Sequence, residues 1–112
     1  MEILVTKEEG ISIVSIAGEI NEQTTMELRE KLDSMVKGGD IKIIIDLSQT
    51  SFISSAGLAT FAFCHKQLKG KGSLKFASLP RHIYNLFKLT YMNKVVDIFE
   101  DLETALKSFQ VQ

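Results

Sequence analysis

Two adjacent serines, Ser54 and Ser55, two histidines, His65 and His82, and a single cysteine, Cys64, are the residues of this 112-residue chain that invite a nucleophilic or metal-assisted chemistry. A hydrolytic serine needs a base within about 2.6–3.2 Å. With Ser55 to Lys69 predicted as one helix, His65 follows Ser55 at a rise of about 1.5 Å per residue and lies roughly 15 Å away. His82 belongs to another segment and reads as a surface or helix-end histidine. Neither serine sits in a G-x-S-x-G elbow. Cys64 and His65 are neighbours, so on a helix they point about 100° apart and cannot cage zinc together. Cys64 reads as a small core residue. Glycines at 10, 18, 38, 39, 57, 70 and 72 form neither G-x-G-x-x-G nor a Walker loop. Neither catalysis nor a cofactor is expected.

What is left is Phe52-Ile53-Ser54-Ser55-Ala56-Gly57-Leu58, a serine pair where a loop meets a helix. A helix N-cap accounts for one serine, whose oxygen satisfies an orphan amide for about 1 kcal/mol. It accounts neither for the second nor for Ala56 and Gly57, small residues that let another surface approach the helix mouth. A phosphoryl group there would meet free N–H groups and the positive end of the helix dipole. A serine so placed can carry a phosphate without unfolding the domain.

Periodicity predicts the elements that hold this pair. Ile3–Thr6 and Ile11–Ala17 are β-branched strands joined through Glu8-Glu9-Gly10, where Gly10 supplies a positive φ, and Gly18 ends the second. Thr24-Thr25-Met26-Glu27 has the form of a capping box, opening a helix over about 25–37 with Leu28, Leu32, Met35 and Val36 on one stripe and Gly38-Gly39 as its stop. Ile41–Leu47 is apolar enough for a central strand covered on both faces. A polar loop, Ser48–Ser51, leads to the second helix, with Leu58, Phe61, Ala62, His65 and Leu68 at helical spacing. Leu58 and Phe61 should face the core, while Phe63 lies off their stripe, either as a partner contact or on a broad buried face. Ser73–Ser78 is a strand, Pro80 the first residue of a helix to about Leu89, Lys94–Phe99 a last strand, and Leu102, Ala105, Leu106 and Phe109 mark a final amphipathic helix. The fold class is α/β: a single domain over 1–112, with a mixed sheet of about five strands packed with about four helices.

Bulk properties agree with that class. A chain of this length should bury roughly 65% of its unfolded surface, and its 45% hydrophobic and 24% charged residues suit an ordinary globular domain. The net charge of −1 gives no electrostatic case for nucleic acid. The N-terminal residues resemble neither a signal peptide nor a membrane span, and with one cysteine the expected setting is the reducing cytoplasm. Charge is unevenly placed: residues 1–46 carry ten carboxylates against five Lys/Arg, and no acidic residue falls between Asp46 and Asp97. The two parts could present opposite faces to a partner, although solvated helix faces would look the same.

Four segments carry a family resemblance. Gly18-Glu19-Ile20-Asn21, Ile44-Ile45-Asp46-Leu47-Ser48, Phe52 to Leu58, and Phe87-Lys88-Leu89-Thr90 through Val95 to Phe99 together resemble the STAS domain of bacterial anti-sigma factor antagonists. The family pattern is G-E-L-D, then D-L-S-x-V-x-F-[IM]-D-S-[ST]-G-L, in which the serine after the second aspartate is phosphorylated by an anti-sigma factor that is also a serine kinase of the GHKL type. The resemblance implies Ser55 as phosphoacceptor, with Asn21, Ser54, Ala56, Gly57 and Leu58 as partner-binding positions. A phosphatase that resets the switch is a further implied partner, with neither direct nucleic-acid contact nor membrane insertion. Three positions depart from the pattern: Ser54 and Asn21 replace aspartates, and Ala56 replaces Ser/Thr. Less negative charge near Ser55 eases a phosphate electrostatically and removes groups a kinase could recognise. The alternative left open is a constitutive subunit, resembling the small STAS component of bacterial lipid-transport ATPase complexes or stress-signalling assemblies, in which Ser55 merely caps a helix.

Overall fold

The protein is represented by a computed structural model that describes residues 1–110, so the last two residues of the expected 1–112 domain lie outside the described part. Among the described residues, strands β1 (Glu2–Glu8) and β2 (Ile11–Ile20) form an antiparallel hairpin. Glu9 and Gly10, both with positive φ, make its two-residue turn, the form that matches strand twist. Helix α1 (Thr25–Lys37) crosses to β3 (Lys42–Asp46), which leads through β4 (Thr50–Ile53) to α2 (Ser55–Leu68). Then come β5 (Ser73–Ala77), α3 (Arg81–Leu89), a 3-10 turn (Met92–Lys94), β6 (Asp97–Phe99) and α4 (Leu102–Gln110).

The sheet order is β1-β2-β3-β5-β6, with β4 off this path and paired to β2. Every pairing after the hairpin is parallel. β3 is the central strand, as its branched apolar run predicts, and both its faces are covered. Ile43 and Ile45 enter the main core with Leu28 and Leu32 of α1, Phe61 of α2 and Phe87 of α3, while Ile44 packs with Ala105 of α4 on the other face. Phe76 of β5 meets Phe61 and Phe87 edge-on at 5.0 and 5.2 Å between ring centres, a favoured aromatic geometry.

Several expectations are corrected. The main path of the sheet has the five strands expected, and what the sequence did not reveal is β4, Thr50–Ile53, which forms where a polar loop over Ser48–Ser51 was expected. Gly18 does not end the second strand: β2 runs on to Ile20, and its segment past Gly18 leaves β1 and pairs with β4, with a register shift at Gly18/Glu19. Thr24 does not act as a capping-box residue, since its backbone is already helical and its hydroxyl accepts from the Asn21 amide at 2.9 Å and donates to the Glu19 carbonyl at 3.0 Å. Pro80 precedes the third helix as its N-cap, its carbonyl accepting from the Tyr84 amide at 2.9 Å. The last strand is only Asp97–Phe99, because Met92–Lys94 closes a 3-10 turn that drops Met92 and Val96 into the core. No helix among the described residues is long and apolar enough to cross a membrane.

Candidate functional site

Parallel pairing of β2 with β4 brings their carboxyl ends side by side, Ile20 opposite Ile53. Two turns therefore leave the sheet at one place. β4 is held there by Thr50, whose buried hydroxyl donates to the Ile16 carbonyl at 2.7 Å, and by the Gly18 amide, which donates to the Gln49 carbonyl at 3.0 Å. The Ser54 amide then donates to the Ile20 carbonyl at 2.8 Å and ties the start of α2 to the end of β2.

Beyond β2, Asn21 builds the turn into α1. Its Oδ1 accepts from the amides of Gln23 at 2.9 Å and Thr24 at 3.0 Å, and its carbonyl accepts from the Thr25 amide at 2.9 Å and the Thr25 hydroxyl at 2.6 Å. A neutral amide oxygen does this as well as a carboxylate. Beyond β4, Ser54 is the N-cap of α2: its backbone is extended, and its Oγ accepts from the Gly57 amide at 3.2 Å. Asn21, Ser54, Glu22, Gln23 and Phe52 line one depression of about 370 Å³. The two positions where carboxylates are absent are thus neighbours, and both oxygens serve as backbone caps.

The two serines differ in use. Ser54 is half-buried and its hydroxyl is engaged, whereas Ser55, the first residue of α2, is exposed. Amides at that position and the next have no acceptor within their own helix. Ala56 is exposed beside Ser55 and lines a second depression of about 470 Å³ between α1 and α2, with Met26 and Arg29 on one wall and Ala59, Thr60 and Phe63 on the other. Glu22 borders both depressions and makes the surface continuous. Phe63 is 43% exposed, with the Arg29 guanidinium 5.0 Å above its ring, and Phe52 is 48% exposed. Phe63 therefore lies off the buried stripe.

Gly57 and Leu58 lie beneath the exposed Ser55 and Ala56. Both are buried, and a β-carbon on Gly57 would come within 2.7 Å of Ile20 and 2.9 Å of Ile53. The bare glycine lets α2 lie against the ends of β2 and β4, so these two residues fix the depth of the helix mouth from beneath. Phe61 is fully buried, as its spacing predicts.

The remaining chemical candidates are occupied elsewhere. His82 Nε2 donates to the Ser51 carbonyl at 2.8 Å, bracing α3 against β4 rather than either serine of the pair. Cys64 is buried, and burial first, then the Asp33 carboxylate, pushes its thiol up to about 11, so it is protonated at neutral pH and a poor nucleophile. Among the described residues no group of three His, Cys, Asp or Glu side chains could hold a metal ion. Sequence reasoning missed Thr25, Met26, Arg29 and Phe52. The available signal in the sequence was Met26, apolar yet off the Leu28–Leu32–Met35 stripe, and the aromatic Phe52 beside the serine pair.

Comparison with known proteins places this geometry. A match to the STAS domain covers residues 2–105. The anti-sigma-B factor antagonist of Bacillus subtilis is 37% identical over 87 residues, 76% of this chain and 78% of that protein. A crystal structure of an anti-sigma factor antagonist from Mycobacterium paratuberculosis superposes with a TM-score of 0.92 at 25% identity, covering 98% of this chain and 94% of that one. SpoIIAA, an anti-sigma factor antagonist solved in its unphosphorylated form, has the same fold at 15% identity, with a TM-score of 0.77 over 99% of this chain and all of its own length. With the match over residues 2–105 and the fold shared along nearly the whole chain, this chain belongs to the STAS domain family.

Proposed function

We propose that the protein is an anti-sigma factor antagonist of a cytoplasmic partner-switching pathway, and that Ser55 is its phosphoacceptor. In this reading the unmodified surface formed by Asn21, Phe52, Ser54, Ser55, Ala56 and the α1–α2 groove binds an anti-sigma factor that is also a GHKL-type serine kinase. A phosphate on Ser55 blocks that binding, a phosphatase restores it, and the protein has no catalysis of its own. The observation that carries the reading is the division of labour in the serine pair: Ser54 spends its oxygen on the Gly57 amide, and Ser55 presents its hydroxyl to solvent. The 37% identity to an anti-sigma-B factor antagonist supports the partner class. SpoIIAA, solved also in its phosphorylated form, shows that this fold accommodates the modification in that protein.

The electrostatics favour a switch that acts through exclusion. Phosphate brings a charge of about −1.5 to −2. At the mouth of α2 it gains about 0.3–1 kcal/mol from the helix dipole. Pressed into a desolvated interface without a cation, the same charge costs several kcal/mol. Arg29 is turned over the Phe63 ring, and Glu22 adds a like charge nearby.

Ser55→Ala should leave stability within about 0.5 kcal/mol, because the hydroxyl is exposed, and should keep full affinity for the anti-sigma factor. Ser55→Asp, with one charge in place of nearly two, should weaken binding in calorimetry. Ser54→Ala should cost about 1 kcal/mol of stability as a lost cap and leave the phosphorylation switch intact. A constitutive STAS subunit is the competing reading, favoured by the neutral Asn21 and Ser54. Unchanged binding by Ser55→Asp would select it.

A further inference from the structure

We infer that the corner where α3 ends is a second docking surface, separate from Ser55 and independent of its modification, and that its occupant is an acidic protein segment with an apolar anchor. Leu89 and Tyr91, at 78% and 72% exposure, are the most exposed large hydrophobic residues described, and they stand two positions apart. With Asn85 and Lys88 they line a depression of about 490 Å³, and Val95, 51% exposed, follows on the next turn. The site lies a helix length, about 12 Å, from the His82 end of α3 that touches β4.

The corner is built to hold these side chains outward. Tyr91 has φ +61, a left-handed conformation that a bulky side chain rarely adopts. It is fixed on both sides: its amide donates to the Lys88 carbonyl at 3.1 Å, and its carbonyl accepts from the Lys94 amide at 3.0 Å. Thr90 secures the helix end with amide and hydroxyl bonds to the Leu86 carbonyl at 3.1 and 2.9 Å. Met92 and Val96 are the residues that anchor the turn in the core, so the core does not require Leu89 or Tyr91. An outlier kept in place by its surroundings, next to exposed apolar area, is the kind of strain that marks binding surfaces.

Charge selects the occupant. Lys88 and Lys94 frame the apolar residues, and no Asp or Glu occurs between Asp46 and Asp97. Among the described residues the ion pairs are Lys7–Asp40 and Lys107–Glu103, which leaves both lysines without a carboxylate partner. Lys88 instead sits 5.7 Å from the centre of the Tyr84 ring. An anionic membrane fits less well, because stable electrostatic attachment uses clusters of about 4–8 cations, whereas two lysines, Lys88 and Lys94, frame this corner. Helix α1 of a second copy also fits less well, because its Glu27, Glu30 and Asp33 are balanced by Arg29, Lys31 and Lys37 and it offers these lysines no net negative charge. An acidic segment of a different protein, offering a Leu or Phe to the depression, satisfies both the charge and the apolar area.

The test is nuclear magnetic resonance titration of the full chain with three probes: a synthetic amphipathic helical peptide bearing Glu on one face and Leu on the other, its counterpart with Lys for Glu, and phosphatidylglycerol vesicles. The inference expects shifts at Asn85–Val95 with the Glu peptide, weakening with salt, and none at Ser55. Leu89→Ser and Lys88→Glu, both surface changes, should each weaken that binding about tenfold. Absence of shifts, equal shifts with the Lys peptide, vesicle binding through this corner, or self-association at the same residues in sedimentation would each overturn it.

Discussion

The two faces of the sheet are covered very differently. On one, α1, α2 and α3 close over Val14, Ile16, Ile43, Ile45, Leu74 and Phe76 with a continuous aromatic contact through Phe61 and Phe87. On the other, α4 alone packs on Ile11, Ile44 and Ala77, with Ala105 its one buried residue. Polar interactions supplement the thin face: Lys75 Nζ donates to Ser108 Oγ at 2.8 Å and lies 4.1 Å from the centre of the Phe109 ring. Asp101 accepts from the Thr104 amide at 2.7 Å, which holds its carboxyl below the usual range. The candidate site belongs to the thick face, where both serines stand on a helix set by buried contacts. The helix mouth thus rests on the larger core, and α4 on the smaller one.

Removing the aromatic link should break this contrast most severely. Phe61→Ala is expected to cost about 3–5 kcal/mol in a denaturant melt, and a loss under about 1 kcal/mol would mean that the thick face is not what secures α2. On the thin face, Lys75→Met keeps the apolar stem and removes the cation. A loss of about 1 kcal/mol is expected, with faster amide exchange confined to α4. Acceleration spreading into α2 would show the faces to be coupled. The smallest effect concerns pH. The Asp101 carboxyl is depressed in the folded protein from its ordinary 3.8, so its contribution is present above that value and is lost as pH falls through the lower folded value. Amide exchange of the first turn of α4 should rise below about pH 4 while the core of α2 stays protected. Asp101→Asn, a neutral cap, should flatten that dependence.

Much of this was legible in the sequence where local pattern and burial coincide. The branched run of Ile43–Ile45 and the Leu28–Leu32–Met35 stripe predict the central strand and α1, and Ser54-Ser55 marks a helix start. β4 was hidden because Thr50 and Ser51 are polar. Thr50 is nonetheless buried, since its hydroxyl reaches Ile16, 34 residues away in sequence, and no local window contains that bond. The strand predicted over Lys94–Phe99 failed for the opposite reason: Val95-Val96 looks extended, but the left-handed Tyr91 turns the chain first. At the candidate site, sequence finds the serines and Asn21. It cannot assign the cap to Ser54 rather than Ser55, which depends on extended backbone at Ser54, nor bury Gly57, which depends on the approach of Ile20 and Ile53.

Whether Ser55 receives the phosphate while Ser54 serves only as the cap can be read from a single experiment. The intact protein is incubated with its cognate anti-sigma kinase and ATP, and the modified residue is located by fragment mass spectrometry. The account predicts a single phosphate on Ser55, unchanged in amount by Ser54→Ala and abolished by Ser55→Ala. Phosphate on Ser54, or on neither serine, would contradict it.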